Sequence, residues 1–134
     1  HTLAPFDDVI PAMHLLRKRG LTVGLITNMD RNGAEIVEGL GLSDHIDLVT
    51  TSLEAGAAKP SPAIFRAALA KAEAEAEEAM HVGDQPSSDI EGALGAGMRA
   101  VLLDRDRNHP RYTVCPRIET LSLLPALVDG LMEG

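Results

Sequence analysis

Three short polar stretches of the sequence carry residue types that could act together on a phosphoryl group. The first is Thr27-Asn28, the second is Lys59, and the third is MHVGDQPSSD, which contains the carboxylates Asp84 and Asp89. A hydroxyl beside backbone N–H groups can bind phosphoryl oxygens, a lysine can neutralise their charge, and paired carboxylates can hold Mg²⁺. Singly, each stretch also has an ordinary explanation as a strand end, a turn or an acidic helix N-terminus. The chemistry therefore depends on whether the fold brings the three stretches together.

The pattern of apolar and capping residues predicts helices that alternate with strands. Helical spacing or an N-cap residue followed by apolar positions predicts helices at 8–19, 30–40 (capped by Asp30), 61–71 (Ser61-Pro62), 88–95 (Ser87 or Ser88) and 121–132. Apolar or β-branched runs predict strands at 21–27, 47–51, 80–83 and 99–103. A polar loop is predicted at 104–116 and a solvated connector at 72–79, where Ala and Glu alternate.

This alternation predicts an α/β fold with a three-layer, Rossmann-like arrangement over 1–134 as a single domain. Its sheet should be mostly parallel, with helices on both faces, because short connections between successive strands and helices build βαβ units. Ligand sites in such sheets form at the carboxyl ends of the strands. The three polar stretches follow predicted strands or the loop beyond one, so we expect them at one sheet edge.

The composition excludes several classes of function. The chain has 134 residues, a net charge of −8 and 2% aromatic residues, and no basic stripe offers a groove for nucleic acid. No apolar run approaches the length of about 20 residues that a membrane span needs. The single cysteine, Cys115, is left without a disulfide partner within the chain, which favours a reducing, cytoplasmic location. We expect neither nucleic acid nor membrane as a partner, and the sequence specifies no oligomeric state.

Three motifs in this order and spacing resemble the haloacid dehalogenase superfamily of hydrolases. LITNMD at 25–30 resembles the second family motif, AAKPSPAIF at 57–65 the third, and HVGDQPSSDIEGALGAGM at 81–98 the fourth. The resemblance extends over nearly the whole chain. It implies a Mg²⁺-dependent phosphatase that acts on a small phosphorylated metabolite through an aspartyl-phosphate intermediate.

The resemblance also implies a role for each candidate residue. Thr27 and Asn28 would bind the transferring phosphoryl group. Lys59 would be the catalytic cation that stabilises its charge and that of the nucleophile. Asp84 would ligate Mg²⁺, and Asp89 would be either a second metal ligand or an outer-shell partner.

The first family motif, Asp-x-Asp at the end of an apolar strand, has no match upstream of Thr27. Asp7 and Asp8 are adjacent and begin a helix. Asp104 and Asp106 have the right spacing but follow the fourth motif, so a permuted nucleophile is disfavoured. We therefore expect that the nucleophile strand and a cap precede this sequence in the parent protein, and that the chain alone is inactive. Without that strand, its two neighbours must pair directly or leave their inner edges unpaired.

Alternative functions remain open. A 2-haloacid dehalogenase shares the fold and the ester intermediate but needs no Mg²⁺, and the pair of carboxylates favours the phosphatase. A non-catalytic module that binds an anion or a partner could keep the scaffold without the nucleophile. A receiver-like or nucleotide-binding domain is disfavoured because Gly92, Gly95 and Gly97 lie within or after a helix rather than between strand and helix. His81 is interpreted as a structural histidine and Cys115 as incidental.

Overall fold

The computed structural model describes residues 6–29 and 32–133. Six α-helices are present in this part of the chain: α1 Val9–Lys18, α2 Gly33–Gly39, α3 Ser52–Ala55, α4 Pro62–Ala72, α5 Gly92–Gly95 and α6 Leu124–Glu133. Five strands lie between them: β1 Gly24–Thr27, β2 Leu48–Thr51, β3 Met80–Gly83, β4 Arg99–Leu103 and β5 Arg117–Ile118. Short 3₁₀ turns cover Ala76–Glu78 and Leu121–Leu123, and a π-helical turn covers Pro86–Glu91.

All strand pairs within the described residues are parallel, but the strands form two separate sheets. One sheet pairs β1 with β2, and the other has the order β3-β4-β5. No ladder joins β1 to β3 in this part of the structure. The inner edges of β1 and β3 are therefore left unpaired, which is one of the two outcomes expected when the strand between them is missing.

Side-chain alternation along the strands shows that helices cover both faces. In β4, Ala100 and Leu102 pack into a core with residues of α4 and α5. Val101 faces the opposite side, where it packs with residues of α6 and with Leu16 of α1. The predicted α/β class with helices on both faces of parallel sheets is thus confirmed.

Several local predictions are confirmed and others are wrong. Ser61 caps α4, and its hydroxyl accepts a hydrogen bond from the backbone N–H of Ala63. The predicted cap Asp30 lies outside the described residues, and Asn32 instead caps α2 by accepting from the N–H of Ala34. The short strand β5 and the late start of α6 were not predicted.

The prediction that Ser87 or Ser88 caps the helix after β3 is wrong. The helical segment already begins at Pro86, so both serines lie inside its first turn. The carbonyl of Gln85 accepts hydrogen bonds from the N–H groups of both Asp89 and Ile90. This widened turn fixes the backbone that carries Asp89.

No helix in the described ranges is long and apolar enough to cross a membrane.

Candidate active site

The candidate site lies at the carboxyl ends of β1 and β3, the two strands whose inner edges are unpaired. Thr27 is the last residue of β1, and Asp84 directly follows β3. Lys59 comes from the loop between α3 and α4, two residues before Ser61, which caps α4, and Pro62, which begins it. Hydrogen bonds of Lys59 to Asn28 and to Asp89 bring the end of β1 and the segment after β3 together at this loop.

Asn28 fixes the loop that carries Lys59. Its side-chain oxygen accepts a hydrogen bond from the Lys59 N–H at 2.7 Å, and its side-chain nitrogen donates to the Lys59 carbonyl at 3.2 Å. The Asn28 amide thus replaces a strand partner for the backbone N–H and C=O of one loop residue. Since both polar ends of the amide are engaged with Lys59, the side chain of Asn28 fixes the backbone of that residue.

Lys59 and Asp89 form a buried ion pair. The Lys59 ammonium lies 2.6 Å from Oδ1 of Asp89, and the two side chains are only 14% and 4% exposed. Nε2 of His81 contacts the same oxygen at 2.9 Å. Burial by itself would raise the pKa of Asp89, but the hydrogen bonds and positive charge supplied by His81 and Lys59 outweigh it and hold this pKa well below its usual range. Asp89 is therefore ionised at neutral pH.

The position of Asp89 also depends on Gly83. A Cβ placed on Gly83 would collide with the carboxyl group of Asp89, so the carboxylate lies directly against the backbone of β3. Oδ2 of Asp89 accepts a hydrogen bond from the Gln85 N–H at 3.1 Å. The glycine in the Gly-Asp of the fourth motif, Gly83, thus leaves the space that the Asp89 carboxyl group occupies.

Asp84 differs from Asp89 in being free. It is exposed, and it makes no hydrogen bond or ion pair with the described residues. A solvent-facing carboxylate at a strand end is a suitable Mg²⁺ ligand, since Mg²⁺ is commonly bound through one or two carboxylates and several waters. No group of three or more potential metal-ligating side chains occurs in 6–29 and 32–133. Among the described residues, Asp84 is therefore suited to supply one carboxylate ligand of a Mg²⁺ site.

Thr27 is half-buried at the end of β1, and its hydroxyl makes no hydrogen bond to another described residue. Of the five predicted site residues, Asn28, Lys59 and Asp89 are joined by direct hydrogen bonds. Thr27 adjoins this chain of contacts through Asn28. The roles assigned to all five remain predictions.

The Asp-x-Asp sequence at Asp104 and Asp106 has a structural explanation. Asp104 is 4% exposed. It accepts hydrogen bonds from the N–H groups of Asn108 and His109 and from Nε of Arg117, at 2.8 to 2.9 Å. It thus anchors the loop that follows β4 and has no free oxygen directed to the site.

Burial raises the pKa of the Cys115 thiol, so this residue has no thiolate character at neutral pH.

The residue that sequence reasoning missed is His81. It is buried in β3, and its ring packs edge-on against Phe65 with 5.1 Å between the ring centroids. The available signal was the alternation of the strand, which places positions 81 and 83 on one face. His81 is a polar side chain on the strand face that Asp89 covers, so a contact between these two residues could have been predicted.

The chain is similar in sequence to hydrolases of one family. A family model described as haloacid dehalogenase-like hydrolase matches residues 1–97. The chain is 45% identical to Haloacid dehalogenase-like hydrolase domain-containing protein 3 of Homo sapiens, over 96% of this chain and 54% of that protein. It is 37% identical to a ribulose-1,5-bisphosphate 5-phosphatase of Halopiger xanaduensis, over 94% of this chain and 53% of that protein.

A solved structure shares the same fold at similar coverage. The 2-haloacid dehalogenase of Pseudomonas syringae pv. Tomato superimposes with a TM-score of 0.83 and 37% identity, over 94% of this chain and 54% of that structure. The chain belongs to the haloacid dehalogenase-like hydrolase family. It spans about half the length of these relatives.

Proposed function

We propose that this chain is the phosphate- and metal-binding part of a Mg²⁺-dependent phosphatase that hydrolyses a small phosphorylated metabolite. The observation that carries the proposal is the buried Lys59–Asp89 ion pair beside two unpaired strand edges. A lysine held in this way offers a fixed positive charge to an anion bound between the ends of β1 and β3. The phosphatase-named relative supports the same reaction class.

Each candidate residue has a distinct task in this proposal. The Thr27 hydroxyl and the neighbouring backbone N–H groups would donate hydrogen bonds to phosphoryl oxygens. The Lys59 ammonium would neutralise negative charge on the same group. Asp84 would hold Mg²⁺, which when bound supplies further charge neutralisation. Asp89 has both oxygens occupied by protein donors, so it would anchor Lys59 from the outer shell instead of binding the metal directly.

The nucleophile in this proposal comes from a strand between β1 and β3. That strand would satisfy the two unpaired edges and place an aspartate at their carboxyl end. The aspartate would attack phosphorus and expel the alcohol, and water would then hydrolyse the resulting aspartyl-phosphate to release inorganic phosphate. The residues that the structure describes include no strand between β1 and β3 and so no aspartate at its end, and the 134-residue chain would not turn over by itself. A cytoplasmic location belongs to the same proposal.

A dehalogenase is the second candidate, since the Pseudomonas syringae structure has that name. It would also use Lys59 and an aspartate nucleophile. The free carboxylate of Asp84 favours the phosphatase, because a carboxylate exposed at the strand end is a suitable Mg²⁺ ligand and the dehalogenase needs no metal.

The test uses the parent protein and the isolated chain side by side. For the parent protein we expect hydrolysis of p-nitrophenyl phosphate that requires Mg²⁺ and is lost with Asp84→Asn and with Lys59→Ala. The matched control Asp44→Asn, an exposed aspartate in another loop, should retain activity. Halide release from a 2-haloacid without Mg²⁺ would establish the dehalogenase instead, and neither reaction would establish a binding module.

The isolated chain should be inactive on the same ester. Hydrolysis by the purified chain that Lys59→Ala abolishes would contradict the proposed location of the nucleophile.

A further inference from the structure

His81 is the one side chain at the site to which neither the sequence motifs nor the proposed reaction assigns a task. It lies in β3, 9% exposed, with its ring fixed edge-on against Phe65 at an interplanar angle of 84°. Its Nε2 lies 2.9 Å from Oδ1 of Asp89, the oxygen that also binds the Lys59 ammonium at 2.6 Å.

The Asp89 carboxylate is held by three donors. Lys59 and His81 share Oδ1, and the Gln85 N–H occupies Oδ2. Donation from Nε2 to an ionised carboxylate requires a proton on Nε2, which either the neutral Nε2–H tautomer or the imidazolium supplies. The contact therefore orients the carboxylate in both charge states of the imidazole.

We propose that His81 is a positioning residue that fixes Lys59 through Asp89. This inference rests on the proposed function, because it assigns the ammonium of Lys59 to an anionic substrate group. Two consequences of the contact support it. His81 prevents rotation of the carboxylate, so the ammonium has one location, and it takes up part of the negative charge on Oδ1, which leaves more of the lysine's positive charge for the anion.

Lys59 is then fixed at both ends. Asn28 holds the backbone N–H and C=O of Lys59 through two hydrogen bonds, and the Asp89–His81 pair holds the Lys59 ammonium. Removal of His81 should leave the backbone of Lys59 in place and release only the tip of the side chain.

The first test observes the lysine side chains directly. The chain has three lysines, Lys18, Lys59 and Lys71, so selective ¹³Cε labelling gives three methylene signals in an NMR spectrum. In the wild-type chain we expect two distinct proton shifts for the fixed Lys59 methylene. The two shifts should merge in His81→Leu, while the Lys71 signal, from an ammonium held by Glu54, should be unchanged in both proteins.

A conservative pair of variants separates positioning from general loss of structure. The amide of His81→Gln can donate to Asp89 from nearly the position of Nε2, whereas the amide of His81→Asn is one methylene too short. We expect the wild-type Lys59 signal in the first variant and the merged signal in the second, with similar thermal unfolding temperatures. A Lys59 signal that stays split in both His81→Leu and His81→Asn would overturn the proposal, and if His81→Leu does not fold, the Gln and Asn variants decide it.

Titration with inorganic phosphate distinguishes this proposal from the proposed function. We expect His81→Leu and His81→Asn to weaken phosphate binding by about fivefold, as for residues coupled in one network, and His81→Gln to retain it. Phosphate affinity unchanged in all three variants would overturn the positioning role. If wild-type protein binds no phosphate while its Lys59 signal responds to His81 as expected, the proposed function fails and the positioning of Lys59 by His81 stands.

Discussion

Asp89→Asn should destabilise the fold strongly, because it removes the charge from a carboxylate that is 4% exposed and paired with Lys59. The lysine ammonium would be left without an anionic partner in a site where it is only 14% exposed. Breaking a buried ion pair from one side costs about 3 to 5 kcal/mol. For a domain of this size such a loss lowers the midpoint of thermal unfolding by about 10 to 20 °C.

The assay is thermal unfolding followed by circular dichroism, with Asp129→Asn as the matched control. Asp129 pairs with Arg19 through two hydrogen bonds, but the side chains of Arg19 and Asp129 are 31% and 44% exposed, so the control should unfold almost as the wild type does. Equal midpoints for Asp89→Asn and Asp129→Asn would refute the claim that Asp89 is a buried anchor for Lys59.

The difference in stability between the wild type and Asp89→Asn should change with pH in one direction. The pKa of Asp89 is lower in the folded protein than in the unfolded chain, so the folded state binds fewer protons here. The stability that its charge contributes is therefore fully present above the unfolded pKa of about 4 and is lost as the pH falls toward the folded pKa. The gap between wild type and Asp89→Asn should narrow progressively below pH 4. A gap that widens on acidification would contradict the assigned ionisation.

Two further predictions concern residues that support the site. Gly83→Ala should lower stability by about 1 to 3 kcal/mol, because the added methyl meets the Asp89 carboxyl group, whereas Gly39→Ala in α2 has open space around it and should be neutral or stabilising in urea unfolding. Asp8→Asn should lower the urea midpoint, because Asp8 binds Arg105 through both oxygens and also accepts from the hydroxyl of Thr120. A midpoint unchanged by Asp8→Asn would show that this contact between the start of α1 and the loop after β4 contributes nothing to stability.

The features of the fold that could be predicted from the sequence are those set by the spacing of apolar and capping residues and by the common direction of the strands. Apolar runs and caps such as Ser61-Pro62 located β1, β3 and α4, and the parallel arrangement then placed Thr27, Lys59 and Asp84 at one edge. These features depend on local residue types and on a general rule of parallel sheets, so no long-range contact had to be known.

The side-chain contacts within the site could not be predicted in the same way. The Asn28 side chain forms hydrogen bonds with the backbone of Lys59, 31 positions away, and no local pattern specifies such a partner. The widened turn after β3 depends on the carbonyl of Gln85, which accepts hydrogen bonds from two N–H groups. Because the turn begins at Pro86, Ser87 and Ser88 lie inside the helical segment. His81 is polar on a buried strand face, and only the position of Asp89 shows why.

The most direct test of a phosphoryl site in this chain is a titration with inorganic phosphate in the presence of Mg²⁺, observed by NMR through the backbone N–H signals of the non-proline residues. We expect shifts concentrated at Thr27, Asn28 and Lys59, with a further Mg²⁺-dependent shift at Asp84. Lys59→Ala should remove the phosphate response, while Lys18→Ala, an exposed lysine at the end of α1, should retain it. Phosphate shifts confined to other surfaces, or equal in wild type and Lys59→Ala, would contradict a phosphoryl site between the ends of β1 and β3.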